Sequence, residues 1–321
     1  MSQLEGFRAA LERNQIPVYF GTVVLGFVVA AIIPGTEHLE GAINPALALM
    51  LFLTFLQVPL AKLRQALTNM RFMGALLVAN FVAVPLLVAI IVPMLPADPL
   101  VRVAVLFVLL CPCIDYVVTF SHLGKSDSAL LLAATPVLLI VQMLLLPGYL
   151  NIFLGAESAS LVQPGPFLHA FIWLIAVPML LAAILQSAAA KSQAAAKLAE
   201  WGGILPVPAT ALVLLIVIAA VTPQLGPALK AATSALPFYV AFAVIAPALG
   251  LLVGRAFGLA STAKRAVAFS SATRNSLVVL PLALSVPGAI PVVPAVIVTQ
   301  TLVELIAMLV YIPLLPKISG R

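Results

Sequence analysis

Charge is what this sequence has least of. Only 8% of its 321 residues are charged, 64% are hydrophobic, and the mean hydropathy is +1.22. Soluble domains carry charge on about a quarter of their residues. The deficit excludes an ordinary soluble domain and points to a polytopic membrane protein. Cysteine is almost missing as well. Cys111 and Cys113 stand in one C-x-C, too few and too close for a disulfide framework. Histidine is limited to His38, His122 and His169, each at a span end, so neither a zinc cluster nor a His-Glu-x-x-His or Ser/His/Asp arrangement forms. Gly124-Lys125-Ser126 imitates the tail of a phosphate loop, but Thr119 stands where its first glycine belongs, which argues against an ATP-driven pump. No enzyme, cofactor or metal is expected. The net charge of +6 comes from basic residues scattered singly between apolar runs. That is a topology pattern, and no nucleic-acid partner is expected.

What is present in quantity is apolar sequence of membrane-spanning length. A hydrocarbon core of about 30 Å needs about 20 apolar residues per helix. Runs of that kind are read at roughly 17–34, 43–60, 72–95, 101–123, 128–154, 167–189, 203–222, 236–258, 264–286 and 292–315. The N-terminus carries Glu5, Arg8, Glu12 and Arg13 and no small-residue cleavage site, so the first run is expected to be a retained span. Of the 16 lysines and arginines, all but Arg102, Lys230 and Arg274 fall on one side of a ten-span topology. Positive-inside bias then places both termini in the cytoplasm and the chain in the cell membrane.

Ten spans divide into five and five, 1–160 and 161–321, joined by the basic loop around Lys191 and Lys197. An odd number per half inverts the second half, the plan of many secondary transporters. The fourth span holds LLCPCIDYVVTF (109–120), with Pro112 between the cysteines and Asp115 beyond them. The ninth, its partner, holds SSATRNSLVVLPLAL (270–284), with Arg274 beside Asn275 and Ser276 and then Pro281. Interruptions at matching depth in two halves point to a site lined by unwound backbone. The expected fold is therefore an all-α membrane protein of two inverted five-helix repeats, with helices four and nine broken.

These two spans resemble those of the bile acid:sodium symporter superfamily. LLCPCIDYVVTFSHLGKSDSALLLAATP (109–136) resembles its fourth span and the Gly-Lys-Ser-Asp turn that follows, and RNSLVVLPLAL its ninth. The likeness takes in FLQVPLAKL (55–63), ahead of Asn80 and Pro85. It implies a panel domain and a core domain, with helices four and nine crossing. In sodium-coupled members a glutamate and a glutamine resemble the positions of Ser270 and Arg274. A fixed cation there argues against a bound sodium ion, which wants oxygen ligands and negative charge. The likeness is nearest to the arsenical-resistance branch, whose members export arsenite. Cys113-Ile114 and Glu304 of TLVELIAML (301–309) resemble its marks, whereas Asp115-Tyr116 departs from its alanine-methionine pair.

Each candidate has its own chemistry. Cys113 is a soft ligand for thiophilic trivalent arsenic, against the plainer reading of a small packing residue. Asp115 and Arg274 are expected to pair, since an unpaired charge at the bilayer centre costs at least about 2.5 kcal/mol. Arg274 would hold an anion or Asp115 in alternation, and Asp115 and Glu304 would carry protons. Gln142 is the counterpart of Glu304 in the first half. Asn275, Ser276, Thr119 and Ser121 are candidate donors in the crossover, although hydroxyls also bond back within helices. Gly250, Gly254 and Gly258 read as a close helix-packing ridge. The partners expected are a small-molecule or metalloid substrate and the lipid bilayer, with a homo-oligomer left open. An organic-anion symporter is the second reading, and a non-transporting membrane sensor or enzyme the third.

Overall fold

The computed structural model describes residues 3–57, 69–114, 116–159 and 164–319. Among them the chain is helical throughout, without a β-strand and with one isolated bridge, Pro112 to Arg274. Among the described residues seven helices are long and apolar enough to cross a membrane: Gln15–Ile32, Thr36–Gln57, Met70–Met94, Ser128–Leu154, Leu168–Ala189, Ala228–Ala256 and Val292–Ile318. The pair Gln193–Gly202 and Pro206–Val221, bent by 48°, makes an eighth if taken as one span. Their outward faces are aliphatic, with Ile32, Leu86, Ile90, Leu144 and Val244 all strongly exposed. Apolar surface on that scale is what a lipid-facing helix presents.

Two expected spans are each a pair of short helices. Span four is Pro99–Leu109 followed by Tyr116–Leu123, and span nine is Ser261–Ala272 followed by Ser276–Leu284. Pro112 explains the first interruption, because it donates no backbone hydrogen bond and disfavours helix at the residue before it. The second has no proline. There Thr273 turns extended (φ −104°, ψ 128°), and Ser271 and Thr273 bond back to the carbonyls of Val267 and Phe269.

Some boundaries differ from the sequence reading. The helix expected at 236–258 runs Leu225–Ala256, so Lys230 is helical and not in a loop. The second span begins at Thr36, not 43. The glycine ridge needs correction at one end. A Cβ on Gly250 would lie 2.6 Å from the Cα of Ala268, and one on Gly254 3.2 Å from the Cα of Lys264, so these two do allow close approach. Gly258 packs on nothing. Its φ of +66° ends the helix, with its N–H on the Arg255 carbonyl and the Leu259 N–H on the Gly254 carbonyl.

The chain forms two compact units, each drawn from separate stretches. One comprises Met1–Gln57, Val162–Leu229 and Leu280–Ala295. Within it Gly26 lets helix Gln15–Ile32 approach Ile218 of helix Pro206–Val221, where a Cβ would stand 2.8 Å from the isoleucine methyl. Gln186 donates to the Phe55 and Leu56 carbonyls (3.0 and 3.2 Å), and Gln57 donates to the Gly203 carbonyl (2.8 Å). The other unit comprises Val58–Leu161, Lys230–Val279 and Val296–Arg321 and holds both helix breaks.

Candidate functional site

The two breaks meet. The Cys113 N–H donates to the Thr273 carbonyl (3.0 Å) and the Asn275 N–H to the Cys111 carbonyl (2.8 Å), an antiparallel pair of bonds around Pro112 and Arg274. Backbone freed by each break is thus satisfied by the other, the condition for unwound chain inside a hydrocarbon layer. The crossing inferred from the resemblance is therefore present.

Arg274 is fully buried at this crossing. Its guanidinium donates to the carbonyls of Ser270 (2.6 Å), Ser271 (2.7 Å) and Leu109 (3.3 Å) and to the side-chain oxygen of Asn80 (2.8 Å). Its carbon lies 5.4 Å from the centre of the Phe242 ring, on the favourable face for a cation. Asn80 is held for this task by a π turn at Ala79–Ala83. Its amide nitrogen donates to the Leu76 carbonyl (3.0 Å) and the Ser270 hydroxyl (2.9 Å), leaving its oxygen to the guanidinium. The cation is solvated by neutral oxygens.

Glu304, buried on helix Val292–Ile318, serves the other face of the same residue. Its Oε2 accepts from the Arg274 backbone N–H (2.7 Å) and from Gln300 Nε2 (2.6 Å), and its Oε1 from the Tyr116 hydroxyl (2.7 Å). Gln300 Oε1 in turn accepts from the Ser276 hydroxyl. Three donors occupy most of the acceptor sites of the carboxylate and fix its position. Among the described residues it is the one buried carboxylate.

Of the residues expected from the sequence, Cys113, Arg274, Asn275, Ser276 and Glu304 come together here, with Cys113 fully buried. Asp115, and with it the expected Asp115–Arg274 pair, lies outside the described residues. Thr119 sits one turn past Tyr116, partly exposed, and Ser121 serves the Gly124-Lys125-Ser126 turn in place of the crossing, its carbonyl accepting from the Ser126 hydroxyl (2.5 Å). That turn is structural. Lys125 adopts φ +54°, its carbonyl accepts from Arg265 Nε (3.0 Å), Gly124 leaves room for the Phe269 ring, and Asp127 caps the helix that follows.

Sequence reasoning missed Tyr116 and Gln300. The signal for Gln300 was its position four residues before Glu304, on the same helix face. Tyr116 carried no signal in the sequence: only the fold brings it to a residue on the last helix.

Two tyrosine bonds share a pattern. The Tyr149 hydroxyl donates to the Phe81 carbonyl (2.5 Å) and the Tyr311 hydroxyl to the Ala243 carbonyl, each across 68 residues. The displacement that carries Tyr149 to Tyr311 also carries Phe81 to Ala243, Cys111 to Thr273, Pro112 to Arg274, Cys113 to Asn275 and Gln142 to Glu304.

Apolar spanning helices, with two broken ones crossing at a buried cation and a buried carboxylate, are the marks of a membrane transport protein. Comparison with known families agrees: the Sodium Bile acid symporter family model matches residues 44–225, more than half of the chain, and the chain belongs to that family. It is a multi-pass membrane protein of a transporter family. No curated protein matches it significantly.

Proposed function

We propose that this protein is a secondary active transporter that works by alternating access and exports arsenite in exchange for protons. The observation that carries the reading is the crossing, where Arg274 and Glu304 are buried against unwound backbone from both breaks. Charged groups are kept at that depth where they serve a transport path. The shared displacement of the tyrosine bonds and of the crossing residues supports two inverted five-helix repeats, 1–160 and 161–321, in a ten-span chain. The basic-residue bias supports cytoplasmic termini in the cell membrane.

Cys113 supports the choice of substrate. Its thiol stands within the break, and trivalent arsenic is a soft centre that sulfur recognises in preference to harder solutes. Glu304 supports proton coupling. Adding a proton turns one of its oxygens from acceptor to donor and removes the negative charge, which weakens its hold on Arg274, Tyr116 and Gln300. Proton uptake at Glu304 thereby loosens the contact between the two breaks. Arg274 holds the negative face of the ligand, and Asn275, Ser276 and Thr119 supply further hydrogen bonds. Asp115 is the second proton carrier in this scheme.

An organic anion is the second reading. It is favoured by Arg274 Nε, which has no hydrogen-bond partner among the described residues and leaves a donor for a carboxylate. The test is uptake of arsenite into everted membrane vesicles under an imposed proton gradient. Gradient-driven uptake that disappears in Cys113→Ser supports arsenite export with the thiol in the path. Absence of flux from well-expressed wild-type protein sinks the arsenite assignment and turns the assay to organic anions, with Arg274 varied.

A further inference from the structure

Gln142 is 1% exposed on helix Ser128–Ala159, and neither its amide nitrogen nor its amide oxygen has a partner among the described residues. Each buried orphan costs about 1–3 kcal/mol. Leu138, Leu139 and Leu146, its buried neighbours on the helix, show what packing alone would have placed there. A polar group so expensive calls for an explanation.

The repeat shows how the amide was orphaned. Gln142 takes the position of Glu304 in the other half. Glu304 is satisfied by the backbone N–H of Arg274, the hydroxyl of Tyr116 and the amide of Gln300. The same displacement makes Pro112, Val278 and Leu138 the counterparts of these three donors. Proline has no N–H, and valine and leucine have no polar group. All three donors are gone on one side, while the side chain that needs them remains. Asn275, which occupies the place of Cys113, also has an unpartnered amide nitrogen.

We propose that Gln142 binds the transported molecule, offering Oε1 to a ligand hydroxyl hydrogen and Nε2 to a ligand oxygen. A paired donor and acceptor fits a neutral, hydroxyl-bearing solute, arsenous acid included. It fits a carboxylate poorly, since Oε1 would then face a negative oxygen. This deepens, and rests on, the transport reading above.

Thiol labelling tests the placement without reference to any substrate. In everted vesicles, Gln142→Cys is exposed to a charged methanethiosulfonate and the adduct is located by peptide mass, apart from those on Cys111 and Cys113. Leu144→Cys is the control, being 74% exposed on the apolar surface of the same helix. Gln142→Cys is expected to react at least about tenfold faster than Leu144→Cys, because water and reagent reach it when the transporter opens. Equal or slower labelling overturns the proposal. Gln142→Leu then separates ligand binding from packing. The melting temperature should hold or rise as the orphan is removed, while arsenite uptake falls about tenfold, the effect of one lost contact of about 1.4 kcal/mol. Wild-type uptake by Gln142→Leu also overturns the proposal. If wild-type protein carries no arsenite, the substrate assignment fails, and the labelling result still decides whether Gln142 lines the path.

Discussion

The two compact units bury very different things. Among the described residues, the unit built from Met1–Gln57, Val162–Leu229 and Leu280–Ala295 buries Gln15, Thr36, Thr54 and Thr210 as its polar side chains, none of them charged. The other unit buries Arg265, Arg274 and Glu304, together with Asn80, Gln142, Asn275, Ser276 and Gln300. Both units expose aliphatic side chains, Ile32 and Leu180 in the first and Leu86 and Val244 in the second, so lipid-facing surface alone does not account for the difference. Polar groups in hydrocarbon are costly unless they serve one another or a ligand. The residues assigned to the proposed transport site all fall in the second unit.

That contrast can be broken by substitution. The largest effect is expected from Arg274→Leu, which strips the donor from Asn80 and three carbonyls. Stability should fall by at least about 3 kcal/mol, read as a lower melting temperature of the purified protein in detergent. Tyr116→Phe removes one donor from a buried carboxylate and should cost about 1.5–3 kcal/mol in the same assay. Gly250→Val drives a side chain into the backbone of Ala268. Overpacking there should cost about 1–3 kcal/mol. Smallest of all is Gln15→Leu in the first unit. Gln15 Nε2 is an orphan, so the change should be neutral or stabilising within about 1 kcal/mol and leave transport intact. A loss from Gln15→Leu as large as that from Tyr116→Phe would erase the distinction between the units.

Much of the second unit was legible in the sequence, for physical reasons. Arg274 and Glu304 announced themselves because a charge in an apolar run demands a cause. The breaks announced themselves through Pro112 and through the polar cluster at 270–276. What could not be read was partnership. The expected mate of Arg274, Asp115, lies outside the described residues; the partners that are described, Asn80 and backbone carbonyls on the guanidinium and Glu304 on the backbone N–H, could not be foreseen from charge. A charge pattern shows which residues need partners, but carbonyl oxygens are invisible in a sequence. Tyr116 is the same lesson from the other side, since a tyrosine near a break says nothing about a residue 188 positions away. Gly258 failed as a packing glycine because spacing alone does not separate a close approach from a positive φ.

The most direct test of the account is proton-driven arsenite uptake in everted vesicles by Glu304→Gln and Gln15→Leu, normalised to folded protein. Glu304→Gln keeps one acceptor oxygen but removes the titratable group. Uptake is predicted to vanish in Glu304→Gln and to match wild type in Gln15→Leu. Wild-type uptake by Glu304→Gln would contradict the claim that transport is driven through the crossing.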